Sequence, residues 1–381
     1  MTSRPTVHGG LRVAIIAESF APSVNGVARS VERVLDHLAA EGHEAMVIAP
    51  SPGPSVHDGV PVVRMPSVPL PLCPDFPVGL PTPRLRRALI EFQPDVVHLA
   101  SPTALGYAGA VTAARLGLPT VAIFQTDLAG FATQYRLRAA VEPIWRWLRA
   151  IHDRADRTLA PSRATVADLR RNGIPRVDRW ARGVDAEAFA PHHRRRPPTS
   201  TVRTVRVGYV GRLAAEKRVE RLGHAAGTGV ELVVVGDGPR RRKLEQQLPQ
   251  ATFTGRLGGD DLSRAYADLD VFVHTGTHET FCQAAQEALA AGVPVVAPAA
   301  GGLLDLVRHG DNGLLWRPDR PQDIGPAVAQ LVADAELRQR MGANAHAGVE
   351  GRTWTALGHE LVGHYRQVMA GPAAAGTAAI A

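Results

Sequence analysis

Twice along its 381 residues the chain sets short apolar runs rich in Val and Ile between stretches whose apolar positions recur at helical spacing. That alternation restricts it to an α/β architecture in which parallel strands are buried under helices on both faces. The first series begins with strand LRVAIIA (11–17), the loop ESFAPSVNG, an amphipathic helix VARSVERVLDHLAAEG stopped at Gly42, and strand HEAMVIAP. It continues with strand 96–100, a helix over 103–116 and strand 120–124. Residues 51–83 are crowded with Pro and Gly; no regular element is expected there, only a connection wrapping over one sheet edge.

The alternation resets after the Pro-rich, basic segment AEAFAPHHRRRPPTSTVR (186–203), which suits a linker. Strands at 205–211, 230–236, 251–255, 271–275 and 293–298 then alternate with helices, one of them over Val219–Ala226. The expected fold class is α/β, with two facing Rossmann-like doubly wound domains at 11–187 and 204–352 joined by a linker at 188–203. A deep cleft is expected at the carboxyl ends of both sheets. A helix over about 353–370 is expected to cross back to the first domain, and 1–10 and 371–381 to be flexible.

Composition narrows the class. There are 43 basic and 36 acidic residues, a formal charge of +7, and lysine occurs only at 217 and 243. Two cysteines, Cys73 and Cys282, exclude a disulfide-stapled scaffold and favour a reducing compartment, and neither sits in a metal-ligand pattern. The first apolar run holds Arg12 and leads into Glu18, so it is a poor signal peptide and too short to span a bilayer; the expected location is cytoplasmic.

Candidate chemistry lies where strands end. Gly211-Arg212 is followed by Glu216-Lys217: arginine chelates phosphate oxygens through its fork and lysine adds a compact charge, a diphosphate clamp in outline, although a solvated salt-bridged loop has the same composition. Gly236-Asp237-Gly238-Pro239 follows a very apolar strand, where glycine admits a phosphate or ribose to backbone N–H groups; a plain strand-to-helix turn fits too. The three-glycine dinucleotide fingerprint is in neither domain, which counts against a nicotinamide dehydrogenase. The densest segment is HTGTHETFCQAAQEALAAGVPVVAP (274–298). Its Glu279 falls in a loop, Glu287 falls eight residues on inside a helix, and Phe281 and Cys282 fall at the helix start. Two carboxylates suit a polyhydroxylated ligand, because each accepts two hydroxyl hydrogen bonds. In the first domain, Asn25-Gly26 precedes a helix, and Gln125-Thr126-Asp127 follows a strand; Asp127 is a candidate base, a hydroxyl acceptor or the cap of the next helix.

Residues 131–179 hold eleven arginines against five acidic residues. Pro143 suits a helix start, with Ile144, Trp147, Leu148 and Ile151 on one face beside Arg146, Arg149 and Arg154. That surface suits anionic lipid headgroups, or simply a helix packed on its own sheet with arginines in water. No nucleic-acid recognition motif accompanies the charge, so no nucleic-acid partner is expected.

Together the strings PSVNGVARSV, FQTDLAGFA, RGVDAEAFAP, GYVGRLAAEKRVE, VVVGDGPRRRKLE and HETFCQAAQEALAAGVPVVAPAAGGLLDLV resemble the retaining GT-B glycosyltransferases of family GT4. The likeness covers about residues 11–370 and is nearest the actinobacterial GDP-mannose-dependent α-mannosyltransferases close to the phosphatidylinositol mannosyltransferases. It implies that Glu279 holds the donor sugar and Glu287 the ribose in an E-x7-E motif, with Arg212 and Lys217 on the diphosphate. Gly26 would lie at the donor phosphates, Gly255, Arg256 and Leu257 beside the nucleobase, and the backbone of Phe281 and Cys282 near the diphosphate or sugar; Gly211, Gly236 and Gly238 are further donor-binding candidates. Asn25, Gln125 and Asp127 would meet the acceptor. Many family members carry histidine where this chain has Gln125, which leaves Asp127 the sharper candidate for acid–base work. The implied reaction moves mannose from GDP-mannose to a hydroxyl of a lipid or glycolipid at the membrane face, with no cofactor and no metal required. The competing expectations are a UDP-sugar donor, a sugar-nucleotide epimerase, and a nucleotide- or lipid-binding module without catalysis.

Overall fold

Val13 to Ala17 have no exposed surface at all, and Val207 and Val271 are equally buried, as expected of strands covered on both faces. The computed structural model describes residues 10–23, 25–70, 73–134, 137–196 and 204–371. Two compact units result among the described residues: 10–161, 166–180 and 357–371 fall in one, and 162–165 with 181–356 in the other.

The sheet of the first unit has eight strands, in the order Val177–Arg179, Arg157–Ala160, Thr120–Ile123, Val96–Leu99, Arg12–Ile16, Glu44–Pro50, Val60–Met65 and Val56–His57. All pairings are parallel except the last. The second unit has six parallel strands, ordered Ala251–Gly255, Val230–Val235, Val205–Val210, Val271–Val273, Val295–Pro298 and Gly313–Trp316. In each unit the chain builds outward from its first strand in one direction and then in the other. The order therefore reverses beside Arg12–Ile16 and beside Val205–Val210, and a crevice opens at the carboxyl ends there.

Four expectations are corrected. Residues 51–83 do form regular structure: Val60–Met65 extends the first sheet, and Ser67–Leu70 pairs with Cys73–Gly79 as an antiparallel ribbon. Pro61 is tolerated because its parallel neighbour is bonded only from Val62 onward, so the missing N–H falls outside that register. The helix expected to begin at Pro143 runs from Arg138 to His152 with the proline inside it. One i−4 bond is lost, but Trp145, Leu148 and Ile151 are buried along its length, and Trp145 rather than Trp147 faces the core; Trp147 is 39% exposed. Val219–Ala225 is a 3-10 helix, consistent with its buried residues Val219, Leu222 and Ala225 recurring every three positions.

The fourth correction concerns the boundary. The expected linker at 188–203 is, through residue 196, part of the second unit. Arg194 donates to Asp270 Oδ1 at 2.5 Å and to the carbonyls of Ala267 and Leu269, while Asp268 Oδ1 accepts from the N–H groups of Arg195 and Arg196. The change of unit falls at Trp180–Ala181. The helix Trp354–Met369 belongs to the first unit from Leu357 onward. There Tyr365 is fully buried with its hydroxyl 2.6 Å from His98 Nδ1, and Trp180 Nε1 donates to the Leu357 carbonyl at 2.9 Å. Of the expected flexible ends and linker, residues 1–9, 197–203 and 372–381 lie outside the described residues.

Asp270 is 5% exposed and also accepts from Arg206 N–H at 2.8 Å, so removing its carboxylate strands a guanidinium and a backbone donor together. Asp270→Ala is expected to destabilise the second unit by roughly 3 kcal/mol, read from urea unfolding, against well under 1 kcal/mol for the exposed Asp260→Ala.

Candidate active site

A parallel sheet delivers every strand's carboxyl end to one edge, so the loops singled out above gather at two edges, one in each unit. In the second unit Val205–Val210 ends in Gly211-Arg212, Val230–Val235 in Gly236–Gly238, Ala251–Gly255 in Arg256-Leu257, and Val271–Val273 in the segment from His274 to Cys282. The loops interlock through the backbone: Gly211 N–H donates to Val235 O, Gly236 N–H to Gly255 O, and Leu213 N–H to Asp237 O. Gly236 has φ +139°, and a Cβ there would stand 1.9 Å from the Gly211 carbonyl oxygen, so only glycine lets these two loops close. Arg212 and Arg256 are exposed, and Leu257 packs against the core.

A charged cluster sits at the reversal point itself. Lys217, on a 3-10 turn over Ala215–Lys217, donates through Nζ to Glu279 Oε1 at 2.6 Å. His274 Nε2 lies 3.0 Å from the same oxygen, and its Nδ1 faces Cys282 Sγ at 3.5 Å. Thr275 Oγ1 donates to the Lys217 carbonyl, and the Tyr209 ring stacks beside the imidazole at 6.2 Å. Burial alone would raise Glu279, but the Lys217 charge and the His274 hydrogen bond hold it down at about 2. Burial works against charge on His274, yet Cys282 and Glu279 on its two ring nitrogens push it up to about 9. For Lys217 burial is likewise overcome by Glu279, and its pKa is raised. All three groups are therefore charged near neutrality, two cations around one carboxylate.

His274, the first residue after the strand Val271–Val273 and five positions ahead of Glu279, received no role from the sequence. The signal for it was position, a histidine directly after a buried strand. Cys282, read as outside any ligand pattern, brings Sγ within 4.8 Å of the ligand atoms of His274 and Glu279. The Lys217 ammonium already supplies a positive charge to that carboxylate oxygen.

Glu279 is positioned by glycines as well as by ions. Gly302 N–H donates to the Glu279 carbonyl at 2.8 Å, and Gly301 has φ +56° with no room for a Cβ against that carbonyl, 2.4 Å away. Cys282 takes φ +98°, a strained value for a non-glycine residue, and caps the helix Gln283–Ala290. Phe281 is buried beside it. Glu287 lies on this helix and accepts from the Tyr266 hydroxyl at 2.8 Å; burial, then the carboxylate, keeps that phenol protonated.

In the first unit the carboxyl edge carries the remaining candidates. Asn25 caps the Gly26–Ala40 helix, its Oδ1 accepting from Val27 and Ala28 N–H while Nδ2 donates to Ser19 Oγ. Gln125 Nε2 donates to the Ala100 carbonyl at 2.6 Å, and Asp127 Oδ1 accepts from Gly130 N–H at 2.7 Å at the start of the helix Leu128–Gln134. Of the alternatives open for Asp127, the cap is the one the geometry displays. Also on this edge is Glu18, which the sequence showed only as a charge after the first strand. It is buried and accepts from Gly79 N–H, Thr103 Oγ1 and Leu105 N–H; burial raises its pKa against these three donors. Among the described residues, no helix is long and apolar enough to cross a membrane.

Comparison with known proteins places the chain in a family. The family model Glycosyltransferase Family 4 matches residues 24–188, and Glycosyl transferases group 1 matches 195–347. The chain is 52% identical to a GDP-mannose-dependent alpha-mannosyltransferase of Mycobacterium tuberculosis, over 94% of this chain and 97% of that one. It is 45% identical to the protein of the same name from Corynebacterium glutamicum, over 94% and 90%. Among solved structures, sucrose-phosphate synthase from Thermosynechococcus elongatus superposes with a TM-score of 0.76 at 21% identity, covering 94% of this chain and 99% of that one, a likeness of fold. With both halves matched in order and close relatives aligned over nearly their full length, the chain belongs to glycosyltransferase family 4, as a hexosyltransferase of the GT-B fold.

Proposed function

We propose that the protein transfers mannose from GDP-mannose, with retention at the anomeric carbon, to a hydroxyl of a lipid or glycolipid at a membrane face. The observation that carries this is the pairing of 45–52% identity to GDP-mannose-dependent relatives with the Lys217–Glu279–His274 cluster at the reversal point of the second sheet. In this assignment Lys217 and Arg212 neutralise the departing diphosphate, so that charge is stabilised where it develops and no metal ion is needed for it. Glu279 accepts hydroxyls of the sugar and Glu287 those of the ribose. The glycine turns at 211, 236 and 238 bring backbone N–H groups to the phosphates, and Gly255 to Leu257 flank the base. Gly26 does the same from the first unit, and Asn25, Gln125 and Asp127 orient the acceptor. With Asp127 engaged as a cap, the leaving phosphate takes the acceptor's proton, and a neutral Gln125 is compatible with turnover.

The lipid part draws support from the exposed apolar residues Phe131, Leu137 and Trp147 set among the arginines of 131–179, a surface suited to anionic headgroups from the cytoplasmic side.

Thermal unfolding with GDP, UDP, GDP-mannose and UDP-glucose tests the donor directly: a rise confined to GDP and GDP-mannose is expected, and a uridine-selective rise overturns the mannose assignment. Lys217→Ala is expected to lower kcat with GDP-mannose by about a hundredfold, and Glu279→Gln to raise its KM by roughly tenfold or more. Full activity in both would sink the site assignment. The cluster also has a pH signature. His274 is raised from 6.5 to about 9, so its contribution to stability is complete below pH 6.5 and is lost as pH rises through 9. His274→Gln is expected to flatten that alkaline decline in the unfolding midpoint.

A further inference from the structure

On the first unit, away from its carboxyl-edge loops, the Gly26–Ala40 helix ends beside the C-terminal helix Trp354–Met369. Three side chains converge there. His37 lies in the last turn of the first helix, Glu41 is its C-cap four residues on, and His359 comes from the other helix. One ring nitrogen of each histidine and one carboxylate oxygen all lie within 4.8 Å of one another. His359 Nε2 is 3.2 Å from Glu41 Oε1, and the two imidazoles meet edge to face at 4.8 Å.

Ordinary packing accounts for His359 and Glu41, which form an exposed ion pair, but not for His37. That side chain is 8% exposed, and its Nε2 is buried with no hydrogen-bond partner. A buried imidazole nitrogen without a partner is unfavourable, and a bond from such a nitrogen to a cation relieves that cost. Gly358 holds the ring in place: a Cβ there would stand 2.2 Å from His37 Cγ. The neighbouring His43 is otherwise engaged, its Nδ1 accepting from Leu11 N–H. The carbonyl end of the Gly26–Ala40 helix points its negative pole at the same place, which favours a cation.

We propose that His37, Glu41 and His359 form a zinc site that clamps the C-terminal helix onto the first unit. Two imidazoles and a carboxylate are a borderline-soft set that suits zinc better than calcium or magnesium. Tetrahedral zinc with bonds of ~2.0–2.1 Å holds its ligands roughly 3.4 Å apart, so the 3.2 Å pair is already at that spacing and His37 closes the rest by a small ring movement. The fourth position is left to water. Such an ion crosslinks residues 322 positions apart in sequence, from His37 to His359, and binds the native state only.

Zinc chloride titrated calorimetrically into the chelator-treated full chain tests this. The expected result is one equivalent bound in the micromolar range or tighter, with a raised unfolding midpoint. His359→Ala and Glu41→Gln, both exposed and outside the donor and acceptor loops, are each expected to weaken binding at least about tenfold while turnover of GDP-mannose stays as in the wild type. X-ray absorption at the zinc edge should show nitrogen and oxygen ligands and no sulfur. No zinc bound to the wild type, unchanged affinity in both variants, or a sulfur ligand, which would place the ion at Cys282, each overturns the site.

Discussion

Parallel pairing is the constraint from which the rest follows. Strands that run the same way must end on the same edge, and a helix must return the chain between them, so one edge of each sheet collects all the loops that follow strands. Where the strand order reverses, two such loops diverge and leave a crevice, and in the second unit those are the loops carrying Lys217 and Glu279. Residues 62 positions apart thereby meet at 2.6 Å without any long-range signal between them in the chain.

Keeping an ammonium, an imidazolium and a carboxylate together in a place with little water costs desolvation energy, and the three offset one another's cost. Such an arrangement is prepared for an anionic ligand. Lys217 and His274 both face the Glu279 carboxylate, and Glu279 is kept ionised far below neutrality. Tyr209 on the strand Val205–Val210 and Tyr266 on the helix Gly259–Ala267 contribute neutral hydroxyls, held protonated by burial, so the charge remains localised on the loop groups. The strain at Cys282 and the glycine contacts at 301 and 302 fix the carboxylate backbone before any ligand arrives, which is the preorganisation that charge stabilisation requires.

Much of this was legible from local pattern. Fully buried parallel strands read as unbroken Val and Ile runs, and the loops after them could be named because strand direction needs no tertiary information. What escaped was decided by neighbours. Pro61 is harmless only because of where the adjacent strand stops pairing, and Pro143 sits inside a helix because the Trp145 face outweighs one lost hydrogen bond. The segment 188–196 looks like a linker by composition, yet its arginine side chains find Asp270 and Glu231 and its backbone finds Asp268, and partners distant in sequence leave no local trace. His274 escaped for the same reason: its role appears only when Glu279 and Cys282 fold back upon it.

The helix that begins with Trp354 and ends with Met369 gives the first unit a discontinuous origin. A ribosome completes nearly all of that unit's sheet before it has made most of the second, but Tyr365, which seats against His98, is made only after the whole of the second unit. Until then the surface around His98 and Trp180 lacks its cover, while the second unit, Ser162–Thr165 with Ala181–Ala356, is already complete. The unit made first in the cell is thus the last to be sealed, and a nascent chain halted before Tyr365 exposes an apolar seam to chaperones rather than a finished domain.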